Sequence, residues 1–504
     1  MAISLSRRDW LAGGIGAAAA SRPARARDRR PNLLFILADD HAGYVLGAAG
    51  NRRARTPNLD RLASEGTRFA RHYCNSPVCT PSRQSILTGQ LPHAAGVTVL
   101  STPLNLNRPT IAKTLAGSGF STAVIGKMHF NRPGEPGLHG FQTAWTEDVV
   151  QRRWTDAVGP AKPFEGIRTK PAWHPFQDPA RIWLNSEKLP FPRSREEMKS
   201  TWVADQAARY LQEHKDDRFA LWVSFQEPHS PFDFPVEWRD RFDCGDFPVP
   251  RVGPEDMEQI PLIFRDLSPA EKQGIAAAYY TSVNFLDHNV GLVLAKLRAL
   301  NLENDTLVVY ISDHGYSLGQ HGRFEKHCTY DPALQVPLIV RYPGRVARGV
   351  VADFTESVDV APTIFDTLGV DRFAVEHGQS LRPYLERRKP ERQRASIFSE
   401  YLENEEACVR STRWKYAHCS GKRERTDGYK TDHPTPGRTV RLYDLSKDPG
   451  EFRNVAAKYP EMVRELSQLM LKRFRETHPE TGSEPPKLAT PEAIEWYLRP
   501  RDAS

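Results

Sequence analysis

Disulfide chemistry has little to work with in this chain. Six cysteines in 504 residues do not make a stapled scaffold. Long apolar runs are missing as well. Hydrophobic residues make up 39% and charged residues 26%, which excludes a polytopic membrane protein, a coiled coil and a low-complexity chain. No internal repeat is visible. Charge of one sign is scarce too: the formal net charge is +7, and Arg7, Arg8, Arg22 and Arg25 against Asp9 account for +3 of it within residues 1–26. The +4 that remains suits an anionic substrate and falls short of a nucleic-acid signature. What the chain does have is length, too much for one ordinary domain and ample for a large core. Its 40 prolines and 33 glycines suggest a loop-rich enzyme.

The first residues read as an address. Ser6-Arg7-Arg8-Asp9-Trp10-Leu11 has the form of a twin-arginine signal, followed by a weakly apolar stretch from Trp10 to Ala20 and a small-residue cleavage site at Ala24-Arg25-Ala26. Eleven residues cannot cross a hydrocarbon layer about 30 Å thick. Residues 1–26 are therefore expected to be an export leader read by the twin-arginine machinery, with no membrane insertion and a periplasmic or secreted destination.

From Pro31 onward short apolar runs alternate with helical patterns, which predicts α/β architecture around a central, mostly parallel sheet. Leu33–Ala38, Ser121–Ile125, Phe219–Phe225, Leu307–Ile311 and Val336–Arg341 are the expected strands. Val283, Leu286, Val290, Leu294 and Leu297 fall at helical spacing. Stretches 131–200 and 231–270, rich in Pro, Trp and Arg, are expected to be substrate-side loops. The boundaries follow: a catalytic domain over 31–390, a smaller α+β domain over 391–480 with short antiparallel strands, and a frayed tail over 481–504.

Four of the five strands end in chemistry. Asp39-Asp40-His41, Gly126-Lys127-Met128-His129, Glu227-Pro228-His229 and Ser312-Asp313-His314-Gly315 follow four of the apolar runs, and in open α/β sheets ligands bind beyond the carboxyl ends of the strands. One such end could be a helix cap or a solvated turn; four together point to a site. Asp39, Asp40, Asp313 and His314 offer three oxygen ligands and one nitrogen, enough for one divalent cation. Arg83, Lys127, Lys326, His129 and His229 describe a pocket for a tetrahedral oxyanion ester. A two-metal phosphatase would want more carboxylates and fewer lysines.

Cys79 narrows the chemistry. In Pro77-Val78-Cys79-Thr80-Pro81-Ser82-Arg83, Thr80 is a fair N-cap and Pro81 suits the first helical position. Cys79 is thereby expected at the positive end of a helix, which favours an anion and lowers a thiol's pKa. A buried structural cysteine, or an unmodified thiolate nucleophile, leaves the neighbouring cation site and lysines without a purpose. Cys79-Thr80-Pro81-Ser82-Arg83 with Leu87-Thr88-Gly89 resembles the signature of the type I sulfatases, in the alkaline-phosphatase superfamily. The strand-end motifs occur in that family's order, as do Glu325-Lys326 and the stretch from Leu442 to Glu451. The resemblance spans about residues 31–475. One departure is His314, where many members place an asparagine; the Asp-His version resembles a subset that includes some sulfatases and the phosphonate monoester hydrolases.

The resemblance implies an alkaline-phosphatase-like fold and a sulfuric ester hydrolase. It implies that a maturation enzyme oxidises Cys79 to formylglycine, and that one cation, Ca²⁺ or else Mn²⁺ or Mg²⁺, is bound by Asp39, Asp40, Cys79, Asp313 and His314. One hydroxyl of the hydrated aldehyde would attack sulfur and the other would release sulfate, a route closed to a serine. Arg83 would orient the diol, Lys127 hold a sulfate oxygen, His129 take a proton, and His229 and Lys326 serve the leaving group. A sulfated carbohydrate is the expected substrate. A phosphonate or phosphate diester, choline sulfate, an aryl sulfate, and a non-catalytic carbohydrate-binding role stand as alternatives. His41, His72, His93 and His139 read as loop or packing histidines. Cys408 and Cys419 flank a hairpin where a disulfide is open, and Trp145, Trp154, Trp173 and Trp183 could stack on sugars or simply pack.

Overall fold

The structure is a computed structural model, described over residues 31–132, 137–172, 174, 177–257, 259–373, 376–422, 429–431, 437–479 and 487–500. The proposed leader, residues 1–26, and Trp173 lie outside the described residues. Eight strands form the main sheet: β1 (Asn32–Ala38), β2 (Thr67–Tyr73), β3 (Ser121–Gly126), β4 (Thr143–Trp145), β5 (Phe219–Ser224), β6 (Thr306–Ser312), β7 (Leu338–Arg341) and β8 (Gly349–Glu356). Their spatial order is β4-β3-β5-β1-β6-β7-β2-β8. All neighbours are parallel except β7, which runs against both β6 and β2. The sequence pattern found β7 but could not give its direction. The chain reaches it through residues 313–337, whose helix Asp331–Leu334 is a single turn, and no long helix crosses the sheet there as in a parallel connection.

β1 is central and buried along its whole length. Leu33, Phe35 and Leu37 enter the core on one face of the sheet, and Leu34, Ile36 and Ala38 the core on the other. That alternation explains why its sequence is apolar throughout, as strands covered on both faces must be. The longest helix, Pro269–Ala299, opens on a capping box: Ser268 Oγ accepts from Glu271 N at 3.2 Å, and Ser268 N donates back to Glu271 Oε2 at 2.7 Å.

A second sheet is antiparallel, in the order β12 (Thr439–Asp444), β11 (Trp414–Cys419), β10 (Glu406–Ser411), β9 (Ser396–Tyr401). The helix Pro460–Glu476 packs on it through Leu466, Met470 and Phe474. Cys408 faces Ala417, Cys419 faces Glu406, and both are free thiols.

Two expectations need correction. The segment read as a frayed tail contains a helix, Thr490–Leu498, whose Ile494, Tyr497 and Leu498 are buried. Tyr497 stacks on Phe474 at 4.7 Å, so the smaller domain continues past 480. The prolines and glycine at 479–486 hid this helix, because they resemble a chain end as much as a turn. Stretch 131–200 is also not all loop: Glu147–Val158 is a helix that buries Val150 and Trp154. Its single apolar stripe is too sparse to stand out among the surrounding arginines and acids.

Candidate active site

The site is assembled at the carboxyl edge of the main sheet. β1 delivers Asp39 and Asp40, β3 delivers Lys127 and His129, β5 is followed by His229, and β6 delivers Asp313 and His314. Gly126 ends β3 at φ +120°, where a Cβ would collide with the Ser224 carbonyl oxygen. Only glycine allows that approach and sets Lys127 beside Asp39. Asp40 (φ 68°) and His129 (φ 54°) also adopt the left-handed conformation, a strain that tends to collect at functional positions.

Cys79 does not precede its helix, as expected; it is the first residue of Cys79–Thr88, with extended Val78 as the cap. Ser82 N reaches back to Val78 O at 3.0 Å, so the helix starts two residues earlier than the Thr80 cap would give. The Thr80 hydroxyl instead donates to Leu100 O at 2.8 Å. The consequence for Cys79 is the expected one, a thiol at the positive end of a buried helix.

Around the thiol the contacts are dense. Lys326 Nζ lies 3.1 Å and His314 Nε2 3.2 Å from Cys79 Sγ, and Asp39 Oδ1 is 3.6 Å away. Lys326 also donates to Asp40 Oδ1 at 2.9 Å. Lys127 is ion-paired with Asp39 Oδ2. Arg83 is buried and binds two strands at once, with Nε donating to Asp313 Oδ2 at 2.8 Å and Nη2 lying 3.2 Å from Asp39 Oδ2. His229 Nε2 stands 4.0 Å from Asp40 Oδ2. Every predicted site residue therefore meets the same cluster. The bland histidines are packing groups: His41 bonds Tyr310, His72 bonds Thr355, His93 bonds Glu400 and His139 bonds Asn131. Trp154 and Trp183 are buried, and Trp145 stacks on Trp202.

The electrostatics are those of a site poised for anions and a cation together. Burial pushes the Cys79 thiol up, but Lys326, Lys127 and His314 outweigh it and hold it well below the usual range. Burial and Cys79 raise Asp39, yet Lys127 and Arg83 keep it strongly acidic. Burial and the facing Asp39 push Asp313 up to about 6. Burial lowers His314, but Asp313 prevails and lifts it to about 9.

The residues fit a divalent cation. Asp39, Cys79, Asp313 and His314 each offer a ligand atom within 4.8 Å of the others, and Asp40 Oδ2 is buried without a hydrogen bond. The carboxylates that keep a proton on His314 are the charge such an ion would use.

One residue escaped the sequence reading. Glu147, first in its helix, accepts from Met128 N at 2.8 Å and His129 N at 2.7 Å through Oε1. The same oxygen lies 3.7 Å from His129 Nε2. No motif spacing marks it, since it acts on backbone 18 residues upstream.

Comparison with known proteins agrees with this geometry. The sulfatase family profile matches residues 31–370, and the profile for the C-terminal part of N-sulphoglucosamine sulphohydrolase matches 319–478. A choline-sulfatase of Rhizobium meliloti is 28% identical, over 85% of this chain and 82% of its own. An N-acetylglucosamine-6-O-sulfatase of Bacteroides thetaiotaomicron is 26% identical, over 92% and 90%. In structure, the phosphonate monoester hydrolase of Agrobacterium radiobacter superposes with a TM-score of 0.76 at 24% identity, covering 91% of this chain and 98% of that one. With a family profile spanning two thirds of its length and its motif residues gathered at one sheet edge, the chain belongs to the sulfatase family.

Proposed function

We propose that this enzyme hydrolyses the sulfate monoester of a carbohydrate, using a formylglycine made from Cys79 and one divalent cation. What carries the reading is the surroundings of position 79: a buried helix start with Lys326 and His314 in contact and Asp39 beside them. When formed, the hydrated aldehyde supplies one hydroxyl for attack and a second for release of sulfate. The cation, Ca²⁺ or alternatively Mn²⁺ or Mg²⁺, would be held by Asp39, Asp40, Asp313, His314 and position 79, and would supply positive charge for the nucleophile and the ester oxygens.

This chain's own groups divide the remaining work. Arg83, locked by Asp39 and Asp313, also donates to Lys127 O and to Ser224 Oγ at 2.9 Å, so it fixes the floor on which position 79 stands. Lys127 neutralises a non-bridging oxygen as charge builds on it, and Lys326 serves the ester bridge and leaving group together with His229. His229 Nδ1 bonds the Ser230 carbonyl at 2.6 Å; a carbonyl only accepts, so Nδ1 holds the proton and Nε2 faces the site. A second proton on Nε2 would go to the leaving alcohol. His129, beside Cys79, is placed to take the proton needed for collapse. Its side chain is 30% exposed and that of His229 is 23% exposed, which sets the mouth of the site between them. The sugar assignment draws on the relatives' sulfatase activities and on the proposed export of the mature enzyme by its twin-arginine leader, after maturation in the cytoplasm.

A second reading is favoured by His314 and the Agrobacterium hydrolase: a phosphonate monoester or phosphodiester hydrolase with the same site. Purified enzyme, with position 79 checked by peptide mass spectrometry, should turn over sulfated sugars faster than phosphonate monoesters, choline sulfate or aryl sulfate. The reverse order on phosphonates would overturn the sulfate assignment, and full activity with an intact thiol would overturn the formylglycine.

A further inference from the structure

The segment joining the two domains is strongly cationic. Arg382, Arg387, Arg388, Lys389, Arg392 and Arg394 stand against Glu386 and Glu391. Its net +4 equals the excess of the whole chain beyond residue 26. A solvated linker would hang free, whereas this one is tied along the outside of β8, the edge strand of the main sheet. Ala347 N donates to Leu385 O at 2.7 Å, Arg387 Nη2 to Arg348 O at 3.0 Å, and Gln393 Nε2 to Asp353 Oδ1 at 3.0 Å. Arg394 closes the seam on Glu356 and Asp359. The path of the segment is thus fixed before any ligand arrives.

Cavities of about 380 and 580 Å³ flank the segment and share Gln379, Arg392 and Arg394. Each is of a size that takes a few sugar rings. Arg388, Lys389 and Arg392 are exposed along the larger one. Among the described residues no carboxylate pairs with Lys389 or Arg392. The smaller lobe adds an apolar floor of Phe398, Leu466 and Leu469. No catalytic residue lines either lobe.

We infer that this two-lobed groove is a second binding site for an anionic polysaccharide, holding a sulfated chain away from the catalytic mouth. The inference deepens the carbohydrate-sulfatase reading and rests on it for the identity of the chain. The larger lobe carries the excess of cations, since its Asp366 and Asp359 are engaged by Arg372 and Arg394, and that excess matches charges spaced along a polymer. The apolar floor matches the faces of sugar rings. A lipid surface would want apolar side chains standing proud of the protein rather than recessed in a groove.

The test uses the full enzyme and the triple variant Arg388→Gln, Lys389→Gln, Arg392→Gln, none of which touches the catalytic cluster. Binding to dextran sulfate is measured against neutral dextran, duplex DNA and anionic phosphatidylserine vesicles, alongside turnover of a small sulfate ester. The wild type should bind dextran sulfate in preference to the other three, the variant should bind it at least tenfold more weakly with a shallower salt dependence, and small-ester turnover should match within twofold. Equal affinity of variant and wild type would overturn the proposal, as would DNA or vesicle binding as tight as that of dextran sulfate. If the small sulfate ester were not cleaved while the tenfold binding difference held, the groove would stand and the sulfatase reading would fall.

Discussion

Two buried clusters in this molecule use the same ingredients for different ends. At the sheet edge, Asp39, Asp40 and Asp313 face Arg83, Lys127 and Lys326. Between the domains, Lys415 of β11 meets Asp331 at 2.9 Å and Glu451 at 2.5 Å, and Arg410 of β10 meets Asp331 at 2.9 Å. Both clusters balance acids against bases out of water. They differ in what the charges face. The first gathers three fully buried carboxylates about position 79, behind two partly exposed histidines, while in the second Lys415, 1% exposed, is shared by Asp331 and Glu451, and Asp331, 21% exposed, is covered by Arg410. Burial of a charge says only that losing its partner is expensive. Whether the charge serves chemistry or architecture is decided by what else is gathered around it.

The comparison can be broken by experiment. Asp313→Asn should lower ester turnover by about a thousandfold, since it removes a charge from the reacting centre. Thermal unfolding should barely move, because Arg83 keeps Asp39. A large drop in unfolding temperature with modest loss of turnover would place the sheet-edge cluster among structural ones. Lys415→Met should do the opposite. It leaves Asp331 and Glu451 facing each other and should cost about 3–5 kcal/mol in denaturant unfolding, with turnover per folded molecule within twofold.

Tyr497→Ala tests whether the helix beyond the expected domain end belongs to the fold; loss of its stacking on Phe474 should cost about 3 kcal/mol, read by urea titration. Glu147→Ala should reduce turnover by roughly tenfold to a hundredfold with KM little changed, and Glu147→Gln should recover part of it, because an amide oxygen can still accept from Met128 and His129. An unchanged rate for both variants would remove Glu147 from the site.

A further effect concerns acid. Burial pushes His72 down to about 3 and His418 to about 4, whereas both take up a proton near 6.5 once unfolded. Their contribution is complete above that value and drains away as pH falls toward 4, by about 1.4 kcal/mol per unit for each histidine. Melts at pH 7.5, 5.5 and 4.5 should show the decline, and His418→Gln should make it shallower.

How much of this could be read from residues alone varies by element. The four strand-end motifs and the Cys79–Arg83 core were legible because each packs several chemical groups into a few adjacent positions, and an apolar run of strand length announces what lies at its end. Glu147 was invisible because a carboxylate bonding distant backbone leaves no spacing. The direction of β7 was hidden because a buried strand has the same composition whichever way it runs. The helix at 490–498 was hidden because the prolines and glycine before it read as a chain end, and its packing partner Phe474 lies across that stretch.

The sequence by itself therefore determined the family, the fold class and the identity of the groups that gather at the sheet edge, since those are properties of local pattern. Tertiary structure alone decided which acid steadies His129, that Cys79 opens its own helix, and that the cationic linker is strapped along β8 between two cavities. Those are relations between segments far apart in the chain, and only packing brings them within a few ångströms of each other.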